Sequence, residues 1–146
     1  MRESFPQRPF RRAAWPALAL ALFAPAAQAD DAGLKIELNK VESTDEGCRT
    51  LFVFDNRTGH ELGRFRVDLI LFDAKGVYKK QLLLDMAPLY ADKKTVASFL
   101  LDEEGCDEIG SILVNDIPQC QNSSGDAFDC LAQLKVASRS DIPLEK

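Results

Sequence analysis

Between Phe65 and Met86 the chain reads FRVDLILFDAKGVYKKQLLLDM, and the character of the side chains changes at every second residue. Phe65, Val67, Leu69 and Leu71 alternate with Arg66, Asp68 and Ile70. That spacing puts four apolar groups on one face of an extended strand and gives a helix no coherent apolar stripe. Asp73-Ala74-Lys75-Gly76 follows, with Asp opening and Gly closing a type I turn. A return strand then covers about Val77 to Met86. A hairpin of this kind commits the chain to antiparallel pairing, and its apolar face requires a second layer to cover it.

The same period runs through the rest of the chain. Leu34, Ile36 and Leu38 alternate with Lys35, Glu37 and Asn39, a half-buried first strand. Arg49 to Phe54 is apolar on both faces, the pattern of a central strand. Asn56-Arg57-Thr58-Gly59 reads as a turn and Pro88 to Lys94 as a loop. Thr95 to Leu101 is a further strand with Phe99 and Leu101 on one face; Asp102 to Gly105 turns, and Ile109 to Val114 is the sixth strand. Beyond Pro118, the segment QCQNSSGDAFDC reads as polar and flexible. Cys130 to Val136 supplies a seventh strand, and residues 138–146 lack any period and read as a flexible C-terminal tail. Seven short strands with turns about every ten residues predict an all-β fold over residues 30–137. The expected form is an immunoglobulin-like antiparallel β-sandwich of about seven strands, with a small barrel as the alternative.

The first 29 residues differ in kind. Arg2, Arg8, Arg11 and Arg12 form a basic start, Ala13 to Ala24 is apolar, and Ala27-Gln28-Ala29 has the small-x-small form of a signal-peptidase site. The apolar run is shorter than the roughly 20 residues of a membrane span and is broken by Pro16 and Pro25. Residues 1–29 are therefore expected to be a signal peptide cleaved after Ala29, with a periplasmic mature chain and no membrane span after cleavage. Arg11-Arg12 suits the twin-arginine route, whereas Ala13, Ala14 and Trp15 suit it poorly, so Sec and twin-arginine export both stay open. Cleavage takes four arginines and Glu3 from the 18 basic and 23 acidic side chains, leaving 14 against 22 and a net charge of −8. Such a surface repels phosphate backbones and anionic membrane faces, which argues against nucleic acid as a partner.

The mature part holds Cys48, Cys106, Cys120 and Cys130, an even number in a small exported domain, which favours disulfides. Four cysteines allow three connectivities. In an immunoglobulin-type order Cys48 begins the second strand and Cys106 the sixth, strands of opposite sheets that such folds staple together. That order favours Cys48–Cys106 with Cys120–Cys130 and leaves the other two pairings open. The longer loop would restrict the unfolded chain by about 4 kcal/mol and the shorter by about 3 kcal/mol. Zinc spacing, a C-x-x-C redox pair and a cysteine nucleophile with a histidine base all fit worse. The lone histidine, His60, sits in a polar turn.

No other constellation speaks for catalysis, a bound metal or a cofactor. The acidic groups Asp102-Glu103-Glu104, Asp107-Glu108, and Asp126 with Asp129 could offer oxygens to calcium, yet match no EF-hand loop. Ser98, Ser111, Ser123 and Ser124 lack a G-x-S-x-G elbow. A sugar platform for paired carboxylates is missing, because Trp15 leaves with the leader. Asn56-Arg57-Thr58 and Asn122-Ser123-Ser124 match the glycosylation sequon and would stay unmodified in a bacterial chain. Tyr78, Tyr90 and Phe128 are the aromatic side chains expected nearest solvent.

The run from Asn56 to Phe99, with its V-D-L-I-L-F-D-A-x-G-V hairpin, resembles extracytoplasmic immunoglobulin-like domains such as the FxLYD type. Adding Cys48, Cys106-Asp107-x-Ile109-Gly110 and Leu113-Val114-Asn115-Asp116, the chain looks like small alphaproteobacterial exported proteins labelled "Tat pathway signal sequence domain protein". The resemblance covers about Leu34 to Cys120 and implies a fold and a compartment, with no catalytic residues to carry over. The expected role is a non-catalytic, cofactor-free module that binds another periplasmic or envelope protein. The alternative is a small-ligand or metal-ion carrier using loop carboxylates. If a partner adds a strand, the first strand (Leu34 to Val41) or the return strand (Val77 to Met86) is the expected edge, the latter guarded by Lys79 and Lys80.

Overall fold

A computed structural model describes Met1 and residues 32–146; the expected leader and its cleavage point otherwise lie outside the described residues. The alternating segments become β1 (Gly33–Thr44), β2 (Gly47–Arg57), β3 (Leu62–Phe72), β4 (Tyr78–Asp85), β5 (Lys93–Asp102), β6 (Ser111–Asn122), β7 (Leu134–Ser138) and β8 (Leu144–Glu145). They form two four-stranded sheets in the orders β5-β2-β1-β7 and β4-β3-β6-β8. The protein is a disulfide-stapled all-β sandwich. The expected central strand is β2, held between β1 and β5, and the clearest strand of the sequence is β3, held between β4 and β6.

Register follows from which faces must be buried. Ile36 pairs with Phe54, Val67 with Leu84, and Leu69 with both Leu82 and Val114, so the inward sets of neighbouring strands coincide. Phe65, Val67, Leu69 and Leu71 are each at most 2% exposed, as their parity requires. Phe54 of one sheet meets Phe65 of the other edge-to-face at 6.2 Å, and Phe52 contacts Phe54 and Phe99 at the same separation. The Asp73 turn forms as expected: Gly76 N donates to Asp73 O, and the Asp73 carboxylate accepts from the N–H groups of Lys75 and Val77. At the β1–β2 turn, Gly47 has φ +122°, and a Cβ there would lie 2.0 Å from the Asp102 carbonyl oxygen. Only glycine fits that approach.

Several expectations need correction. Among the described residues there are eight strands where about seven were expected, and two pairings are parallel: β7 runs parallel to β1, and β8 to β6. The first strand is interior, between β2 and β7, because β7 returns beside it after the chain has crossed the molecule. Cys130 opens a one-turn helix, α1 (Cys130–Gln133), rather than a strand, since Asp129 caps it by accepting from Ala132 N. Cys106 lies in a single 3-10 turn (Cys106–Glu108) ahead of β6. β6 itself runs through Pro118, which sits at a register shift beyond the stretch that β8 pairs, where its missing N–H costs no ladder bond. The segment expected to be flexible after Pro118 closes on itself: Asn122 N donates to Asp126 O and Phe128 N to Cys120 O.

The tail is the largest departure. Residues 138–146 pack rather than fray, with Ile142 and Leu144 each 7% exposed and Leu144 paired with Ile112. Lys146 Nζ donates to the carbonyls of Leu131 and Leu134, covering the end of α1. Two buried side chains are too few to show a period, so the sequence alone carries no sign of this element.

Candidate functional site

Cys48–Cys106 joins the start of β2 to the turn before β6, and so links the two sheets with a Cα–Cα distance of 4.6 Å. Cys120–Cys130 ties β6 to α1 at 6.2 Å and closes the 120–130 loop. All four cysteines are oxidised, so no thiol remains as nucleophile or ligand. His60 is exposed and stacks on Phe128 at 5.2 Å.

The loop carboxylates have local partners. Asp126 accepts from Asn122 Nδ2, and Asp129 caps α1. Asp102 and Glu104 converge on Lys79: its ammonium lies 3.3 Å from Asp102 Oδ2 and contacts Glu104. Glu104 is the main reason Lys79 holds its proton more strongly than an ordinary lysine, with Asp102 adding to the effect. Among the described residues no group of three or more His, Cys, Asp or Glu side chains is placed to hold a metal ion. An open polar recess of about 580 Å³ is lined by Glu61, Gly63, Arg64, Pro88 and Gln121 to Gly125. Glu61 there accepts from the Ser123 hydroxyl.

Among the described residues the sequence reading did not mark five polar groups as buried: Asn56, Asp68, Asp102, Glu37, and Thr50, whose hydroxyl donates to Phe99 O at 3.2 Å. Asn56 is fully buried and donates to the carbonyls of His60, Leu89 and Tyr90, while its oxygen accepts from Thr58 N and Oγ1. Its parity was the available signal: Asn56 continues the inward row Phe52, Phe54. Asp68 accepts from the side-chain amides of Gln81 and Asn115. Asp102 is the buried member of the Lys79 cluster. Glu37 accepts from Arg139 at 2.6 Å, Asn39 at 3.0 Å and Lys35 at 3.1 Å. Arg139 is the largest cause lowering the Glu37 pKa to about 2, opposed by burial.

These contacts make the two sides of the sandwich unequal. On one side the sheets end in the short strands β7 and β8, where Ile142 and Leu144 are buried and Lys146 donates to the Leu134 carbonyl. On the opposite side β5 and β4 are the terminal strands of their sheets. β5 pairs only with β2, and beyond its ladder no backbone–backbone hydrogen bond reaches it among the described residues. Its outward Val96 and Leu100 are 58% and 42% exposed, and on or beside β4 Val77, Tyr78 and Leu83 are 57–60% exposed. Of the two strands expected at an edge, the return strand β4 is one; its Lys79 is held by the acidic cluster and is 20% exposed. β5 takes the place assigned to the first strand.

The arrangement defines a class: a small β-sandwich with two disulfides, whose sheets end in the longer strands β5 and β4 on one side and in the short strands β7 and β8, packed by the C-terminal segment, on the other. Compared with protein-family models, curated proteins and solved structures, the chain matches none. Among the described residues no helix is long and apolar enough to cross a membrane.

Proposed function

We propose that this chain is an exported, non-catalytic module of the periplasm that binds another envelope protein. The open β4/β5 side carries the reading. An unpaired edge presents alternate N–H and C=O groups to an added strand, and exposed apolar side chains beside it give that strand something to bury. Two disulfides suit an oxidising compartment, where they persist.

Site-specific photo-crosslinking in cells that make the protein tests this. A crosslinker at Leu83 or Val96 should give discrete adducts with other envelope proteins, and one at the exposed Asp141 on the β7/β8 side should not. Equal labelling at all three positions, or none at any, would defeat the proposal. The recess beside Glu61 and Arg64 supports a second reading, a small-ligand or metal-ion carrier. Calorimetric titration with Ca²⁺, Cu²⁺ and Zn²⁺ examines its metal form, and tight stoichiometric heat would promote it over the first.

A further inference from the structure

The ends of β5 carry opposite charge. The strand opens with Lys93 and Lys94, and Asp102-Glu103-Glu104 stands at its far end. Lys93 is exposed, with its ammonium 5.0 Å above the Tyr90 ring, and the exposed Glu103 side chain makes no hydrogen bond or ion pair among the described residues. Between the charged ends the outward row is Val96, Ser98, Leu100, with the small Ser98 at its middle.

We propose that β5 is a self-pairing edge whose partner is a second copy of this chain, the two strands running antiparallel with Ser98 facing Ser98. This goes beyond the protein-binding reading: it uses the same open side but names a second copy, not another envelope protein, as the occupant of β5. Antiparallel pairing about Ser98 sets Val96 opposite the second copy's Leu100 twice over. It also brings the Lys93-Lys94 end of each copy to the end where the other carries Glu103. Opposed residues of antiparallel strands lie on one face with Cβ atoms about 4.5–5.5 Å apart, so both apolar pairs form on the same outer surface. Sliding the register by one residue would set Val96 and Leu100 against inward-facing side chains and lose both pairs. A foreign strand would have to supply this pattern of charge and apolar spacing in reverse; a second copy has it by construction. The contact is one strand pair, smaller than the roughly 1,600 Å² of a standard interface, so association depends on concentration.

The experiment uses the full chain, expressed with its own leader and recovered oxidised from the exported fraction, in sedimentation velocity across the micromolar range. The wild type should move from monomer to dimer as concentration rises. Lys93→Glu and Glu103→Lys each place like charges at both ends of the pair, so each alone should dimerise about tenfold more weakly. An equimolar mixture of the two variants should recover the wild-type affinity, since every end then meets its opposite. Circular dichroism verifies that both remain folded. A wild type that stays monomeric throughout, or variants that dimerise as well as the wild type, would overturn the proposal. Foreign adducts at Val96 without self-association would sink the dimer and leave the protein-binding reading standing. Dimerisation with no foreign adduct would do the reverse.

Discussion

Replacing Asn56 with alanine tests whether a buried amide, rather than the apolar core alone, holds the corner between β2 and the loop entering β5. Asn56 is 0% exposed, with donor distances of 2.8 Å to His60 O, 2.9 Å to Leu89 O and 3.2 Å to Tyr90 O. Its oxygen accepts from Thr58 N at 3.1 Å and from Thr58 Oγ1 at 2.7 Å. Not all five losses count fully. Leu89 O keeps the Leu62 N–H at 2.9 Å, His60 O keeps the Thr58 hydroxyl at 3.2 Å, and Tyr90 is exposed enough for water to reach it. With a net 0.5–1.5 kcal/mol per hydrogen bond and about half the set replaceable, the cost is about 3 kcal/mol. For a domain of this size, unfolding entropy scales to about 4 °C per kcal/mol, so Tm should fall by about 12 °C. Asn56→Asp keeps the acceptor but turns an oxygen toward the three carbonyls, and should cost at least as much. Thermal unfolding followed by far-UV circular dichroism, with urea midpoints as a second measure, gives both values. A drop below about 3 °C for Asn56→Ala, or an Asn56→Asp more stable than it, would refute the reasoning. The same burial leaves the Asn56 sequon amide inaccessible in the folded chain.

Further outcomes follow from the β7/β8 side and the staples. Ending the chain at Ser140 removes Ile142 and Leu144, each 7% exposed, and should cost about 3–6 kcal/mol at about 1.5–3 kcal/mol per buried aliphatic side chain, read from urea unfolding. Hydrogen exchange in that truncated chain should quicken first around Ile112, which loses its Leu144 partner. Replacing Cys48 and Cys106 together by alanine opens a 58-residue separation and should lower stability by about 4 kcal/mol; opening the 10-residue Cys120–Cys130 separation should cost about 3 kcal/mol. Arg139 holds the folded-state pKa of Glu37 at about 2, below its ordinary 4.5. A depressed carboxylate contributes fully above the unfolded value and loses its contribution as pH falls toward 2. The Tm gap between wild type and Glu37→Gln should therefore be widest above pH 5 and shrink steadily on acidification. A gap independent of pH would remove the ion pair from the account.

Alternation of side chains along one strand is a local property, and it wrote much of this architecture into the sequence. Phe65 to Leu71 announced β3 and its buried face, Asp73 and Gly76 announced the hairpin, and the even number of cysteines announced disulfides, of whose three possible connectivities the structure contains the one an immunoglobulin-type strand order favours. Tertiary structure decided what lies beside what. No local signal told that β7 returns parallel to β1, which makes the first strand interior and leaves β5 at an open edge. Nor did Ile142 and Leu144 look like core, because two apolar residues in a polar tail gain meaning only when a groove beside β6 accepts them. The periodicity of a segment states which of its faces must leave water. Only the packed chain determines which strand has a neighbour on each side, and therefore which backbone groups remain for a partner.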